Sequence, residues 1–188
     1  FPNAVNPTLN INHLEIEKII NTGKNSVVNF VKDKILVSKD KTINLINKNN
    51  KNKFEYQFNL SKDEKVLNIF EFNENIYIIT NRSRIFIIDG QNIFEIADYN
   101  IFINTNPIVF DNNLILLSVF GDVYYVKMDD FSILKKDNFN IKPGISINSN
   151  IFEDNTNSYV LFNSGTLLTF DKKNFDYYNN YILEDLNI

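Results

Sequence analysis

Along most of the chain, short runs of β-branched and aromatic residues alternate with clusters of Asn, Asp, Lys and Gly. Runs of this length, rich in residues that strands favour, predict strand and turn throughout. Helical spacing, with apolar residues at three- and four-residue steps, is scarce. Glycine occurs only 5 times and proline 4 times. Asn and Asp are therefore expected to supply many of the turns, because they tolerate positive φ better than other non-glycine residues.

The pattern also repeats. Ile115–Val126 reads strand, tight turn, strand around Phe120-Gly121, and Tyr159–Phe170 does the same around Asn163-Ser164-Gly165. Ile76–Ile88 turns at Asn81-Arg82-Ser83, and Ile35–Ile46 at Lys39-Asp40-Lys41. About 40 residues separate equivalent turns, which is the period of one propeller blade. Each hairpin follows an inner strand, expected at Val27–Val31, Val66–Phe70, Pro107–Phe110 and Ile145–Ile147. Each is closed by an outer strand, expected at Phe54–Leu60, Ile93–Tyr99, Ser132–Phe139 and Phe175–Ile182.

The repeats divide the chain into units at 25–62, 63–101, 102–141 and 142–182, with an extension at 183–188. Residues 1–24 hold a linker and one unmatched outer strand, Leu14–Ile20. Ile76–Ile79 and Leu114–Leu117 are apolar at every position, so both faces of those strands should be covered. Blades packed between neighbours achieve this, whereas a two-sheet sandwich would alternate more uniformly. The expected fold is all-β: a β-propeller of four-stranded antiparallel blades, about four of them present. The unmatched strand points to part of a larger propeller, whose open faces would be prone to self-association.

Composition narrows the function classes. A net charge of -4 lacks the basic stripe of a nucleic-acid binder, and no apolar stretch is long enough to span a membrane. Asn, Ile and Lys dominate, the composition that an AT-rich genome produces. Without cysteine there are neither disulfides nor thiolate metal sites. His13 is the only histidine, and no Gly-x-Ser-x-Gly elbow accompanies it, so no nucleophilic triad is expected. The adjacent acids Asp63-Glu64, Asp129-Asp130 and Glu153-Asp154 fit solvated turns better than a cation loop. No catalytic, cofactor-binding or metal-binding residue is assigned, and the chain is expected not to be an enzyme.

The candidates that remain are for partner binding. Arg82 and Arg84 are the only arginines, both at one hairpin. Two residues apart, they are expected to share one side of the strand, and arginine is favoured at interface hot spots. Phe120 tops the next hairpin on the same rim. A protein partner reached through rim loops is the expected mode.

With the units aligned, Pro107–Val109, Gly121-Asp122-Val123-Tyr124 and Asp129-Asp130 follow in the order of the quinoprotein-like (PQQ-like) propeller repeat. Ser164-Gly165-Thr166 and Phe170-Asp171 do so in the fourth unit. The resemblance implies one of two branches. The quinone-dependent dehydrogenases of that family use tryptophans and vicinal cysteines, and this chain has neither. The other branch is non-catalytic and includes the lipoprotein of the outer-membrane barrel-assembly machinery. It implies a scaffold without cofactor, in the periplasm or at the outer membrane. The alternative is a ligand-binding, sugar-binding or enzymatic propeller whose site is completed by blades outside this chain.

Overall fold

The computed structural model describes residues 26–39, 41–50, 52–139, 146–147 and 151–173, together with the backbone of a last strand at 177–182. These residues form four antiparallel four-stranded sheets, the blades of a β-propeller, in which each strand pairs with the next in sequence. Blade 1 consists of β1 (Val27–Val31), β2 (Lys34–Lys39), β3 (Thr42–Asn47) and β4 (Lys53–Gln57). Blade 2 consists of β5 (Val66–Phe72), β6 (Asn75–Thr80), β7 (Arg84–Asp89) and β8 (Asn92–Asp98). Blade 3 holds β9 (Ile108–Phe110), β10 (Asn113–Leu117), β11 (Asp122–Lys127) and β12 (Ile133–Asn138). Blade 4 holds β13 (Phe152–Glu153), β14 (Asn157–Leu161), β15 (Thr166–Asp171) and β16 (Tyr177–Ile182).

The continuous apolar runs do what their composition requires. In β6, Ile76 and Ile78 pack toward blade 1, while Tyr77 and Ile79 pack toward blade 3. In β10, Leu114 and Leu116 face blade 2, while Ile115 and Leu117 face blade 4. Alternate side chains thus enter opposite seams, which is why Ile76–Ile79 and Leu114–Leu117 are apolar at every position. Among the described residues the buried clusters join blade 1 to 2, 2 to 3, and 3 to 4.

Two tyrosines tie the outer parts of adjacent blades. The Tyr56 hydroxyl donates to the carbonyl of Gly90 at 2.9 Å, and the Tyr99 hydroxyl donates to the carbonyl of Phe131 at 2.7 Å. Phe139 has no hydroxyl, and its ring packs instead against Phe162 and Phe170 across the third seam. Near the inner strands, the Asn29 amide of β1 donates to the Asn68 side chain at 2.8 Å and also to the Ile69 carbonyl.

Several expectations need correction. The inner strand of blade 4 is Phe152–Glu153, paired with Tyr159 and Ser158. Among the described residues Ile147 makes a single bridge, to Phe162. The cause is the turn at Asp154, whose carboxylate accepts the amides of Thr156 and Asn157, each at 2.7 Å, and so ends the strand at Glu153. Asn and Asp do take left-handed positions at Asn73, Asn100, Asp63 and Asp111. Lys32, Glu74, Ser83 and Phe131 take them as well, so hairpin geometry overrides the residue preference there. β4 alternates only at its end, with Tyr56 buried between exposed Glu55 and Gln57 while Phe54 is exposed. β12 does not: Ile133 and Leu134 are both exposed, and Lys135 and Lys136 lie over the rings of Tyr125 and Tyr124. Leu14–Ile20, His13 and Ile145 lie outside the described residues.

Candidate functional site

Antiparallel pairing puts every β2–β3-type turn on the same rim as the linkers between blades. On that rim, between blades 2 and 3, lies an open groove of about 390 Å³ whose lining includes Lys65, Leu67, Phe102, Val119 and Phe120. Its walls are fixed by backbone hydrogen bonds. Ile103 N donates to Asn81 O at 3.0 Å, Val119 N to Phe102 O at 2.9 Å, and Asn81 N to Lys65 O at 3.0 Å. The Ser83 hydroxyl accepts the amide of Ile101 at 2.9 Å. The linker after β8 is therefore laced to the turns on both sides of it.

Phe120 stands at the tip of the β10–β11 turn, 66% exposed. Below it, the Ser118 hydroxyl accepts the amides of Phe120 at 3.2 Å and Asp122 at 2.9 Å, and Gly121 provides the left-handed residue at φ 86°. The turn is tight, and its aromatic has nowhere to go but outward. Phe102 is 50% exposed on the opposite wall. Its neighbour Ile103 is in the core and Ile101 packs against it, so strand-like alternation turns Phe102 to solvent.

The two arginines part company, contrary to the expectation that they share a side. β7 begins only at Arg84. Arg82 belongs to the turn, and Ser83 between them is left-handed at φ 58°, so strand alternation does not reach Arg82. The Arg84 guanidinium is enclosed by the chain. Nη1 donates to Glu64 Oε2 at 2.9 Å and to the Asn59 carbonyl at 3.0 Å, Nε donates to Glu95 Oε2 at 3.1 Å, and Nη2 also pairs with Glu95. The cation lies 4.9 Å from the centre of the Phe86 ring. Arg82 instead lies 5.2 Å from the centre of the Phe102 ring, and its Nε is buried without a hydrogen-bond partner among the described residues.

Glu64, grouped with solvated turn acids in sequence, has a fully buried side chain. Burial alone would push its carboxyl up. Hydrogen bonds from the Thr80 hydroxyl, the Ser61 amide and Arg84 outweigh that effect, and the net direction is down. Glu64 and Arg84 thus form a clamp that fastens the blade 1–2 linker to β7, while Phe102 and Phe120 face outward and Arg82 lies against Phe102. Of the three residues singled out in sequence, Arg82 and Phe120 belong to this rim region and Arg84 to the clamp. Phe102 and Lys65 were missed, although the Ile-Phe-Ile run at 101–103 carries an alternation signal for the former. Among the described residues no three acids or histidines converge as metal ligands would.

No family model matches the chain, and no curated protein is significantly similar to it in sequence. Solved structures are similar to it in fold. BamB from Moraxella catarrhalis superposes with a TM-score of 0.61 at 13% identity, covering 79% of this chain and 49% of that one. The Pan2 WD40 domain of Neurospora crassa gives 0.63 at 9% identity, over 84% and 49%. The N-terminal domain of Nup159 gives 0.61 at 11% identity, over 85% and 44%. The chain spans about half the length of each. At these identities the likeness carries the fold alone, and that fold is the β-propeller.

Proposed function

We propose that this chain is a non-catalytic propeller scaffold that holds a protein partner on the rim between blades 2 and 3. The observation that carries the proposal is the pair of exposed phenylalanines, Phe102 and Phe120, set in backbone that hydrogen bonds hold in place. Exposed aromatics on a rigid frame are the usual anchors of protein interfaces, because little conformational entropy is lost when they are covered.

Site-specific photo-crosslinking tests this. A photoreactive residue at position 120, introduced in the full-length protein in its own cells, should trap a defined partner. The same residue at Gln91, on the opposite rim, should not. Crosslinks of equal yield and identity from both rims, or none from position 120, would sink the proposal.

A narrower form places the scaffold in outer-membrane protein assembly. It is supported by the PQQ-like order of the third and fourth units and by the fold likeness to BamB. The Pan2 WD40 domain and the N-terminal domain of Nup159 are as similar in fold, so the support lies mainly in the repeat order. On this form the full-length protein fractionates with the periplasm or outer membrane, and recovery in the cytoplasmic fraction ends it.

A further inference from the structure

The lining of the rim groove differs in charge from the rest of the molecule. The chain as a whole carries a net charge of -4, yet no carboxylate lines this groove, and Lys65 does. Arg82 sits beside it, stacked on the wall residue Phe102. Among the described residues neither cation is in an ion pair: it is Arg84, not Arg82, that holds Glu64 and Glu95. A guanidinium lying on an aromatic face keeps its charge and its planar fork for a carboxylate. The apolar part of the wall is supplied by Phe102, Phe120, Val119 and Leu67.

From these observations we infer that the groove receives an extended protein segment in which an acidic residue stands next to an aromatic or branched apolar one. The inference rests on the scaffold reading and names its partner's chemistry. The carboxylate would meet Arg82, with Lys65 adding long-range attraction, while the apolar side chain lies between Phe102 and Phe120. A free small molecule is a poorer fit, since small-molecule sites bury most of their ligand and these two walls are half or more exposed. A continuing chain has backbone on either side of the groove to fill the remainder. Two cations on an acidic molecule are also too few for the phosphate contacts that dominate nucleic-acid affinity.

The inference can be tested with fluorescein-labelled synthetic peptides and the complete chain, read by fluorescence anisotropy. One peptide alternates Asp with Phe, a second replaces every Asp with Lys, a third replaces every Phe with Ser, and an oligothymidylate serves as the nucleic-acid probe. The Asp/Phe peptide should bind best, and added salt should weaken it as the exposed charges are screened. Phe120→Ser and Arg82→Gln should each weaken it by about tenfold or more, the scale of an interface hot spot. Arg82→Lys should recover only part of the loss, because an ammonium keeps the charge without the stacked plane. Thermal melting of each variant should match the parent, since both side chains sit outside the three buried clusters.

Equal binding of the three peptides, preference for the oligothymidylate, or variants that bind like the parent would overturn the inference. Should position 120 still trap a partner by photo-crosslinking while the peptides are bound alike, the scaffold reading stands and the assigned chemistry falls. Should neither occur, both fall.

Discussion

Arg84 bridges pieces of chain that are far apart in sequence: Glu64 is 20 residues away, Asn59 is 25, and Glu95 is 11. Removing one member of a pair with a fully buried carboxylate leaves an uncompensated charge, which typically costs about 3–5 kcal/mol. Arg84→Ala is therefore expected to lower stability by about 3 kcal/mol in urea denaturation, near the low end because Thr80 and Ser61 still hold Glu64. Arg82→Ala should leave the midpoint within about 0.5 kcal/mol of the parent. Equal effects at the two positions would contradict the separation of clamp and rim.

The same clamp gives a signed pH dependence. The Glu64 carboxyl is depressed in the folded protein, so its contribution to stability is fully present above the ordinary unfolded carboxylate range and is lost as pH falls through the lower folded value. Glu64→Gln should remove that share of acid sensitivity. Stability measured from neutral pH downward should then fall less steeply in the variant than in the parent.

At the scale of elements, seams are closed at their outer edge by single hydroxyls. Burial, with the nearby Asp130 adding to it, pushes the Tyr99 hydroxyl well above the ordinary tyrosine range, so it remains a donor to Phe131 O at any physiological pH. Tyr99→Phe leaves the Phe131 carbonyl without that donor and is expected to cost about 1 kcal/mol. Tyr56→Phe, which frees the Gly90 carbonyl, should cost a similar amount. A loss under about 0.3 kcal/mol at both sites would mean that water replaces the hydroxyls without penalty. Gly90 itself is left-handed at φ 57° with open space where a Cβ would go. Its requirement is thus conformational and not steric, and Asn should serve there better than Ala.

At the scale of the molecule, each described blade touches only its neighbours through a buried cluster, so stability should behave as nearest-neighbour terms do in repeat arrays. Ile43→Ala opens the blade 1–2 seam and should cost about 2–5 kcal/mol. Hydrogen exchange should then speed up first in β1–β8, while β10 and β11 keep most of their protection. A uniform loss across all four blades would show that the seams unfold as one unit.

Much of this plan is legible in residue order. Strand-by-strand pairing, both-face burial of β6 and β10, and the four units follow from local periodicity, because side-chain alternation and short turns need no information from elsewhere in the chain. The placement of Phe120 on an outward turn is readable for the same reason. The inner strand of blade 4 lies at Phe152–Glu153, directly before the Asp154 turn, and not at Ile145–Ile147, because pairing with Tyr159 and Ser158 decides the register and a two-residue strand leaves little trace in hydropathy.

What residue order could not decide is which arginine is available. Arg82 and Arg84 look equivalent in sequence, but one left-handed residue, Ser83, breaks their alternation. The carboxylate that claims Arg84 arrives from a linker folded against the next blade. Residue order alone is enough for a repeating β architecture with apolar seams, since that depends on neighbours a few positions apart. The three-dimensional packing alone makes Glu64 a buried clamp and brings Lys65, Phe102 and Phe120 to one groove, with Arg82 beside it on Phe102. Charge compensation and groove formation depend on distances between blades, and those are set by packing alone.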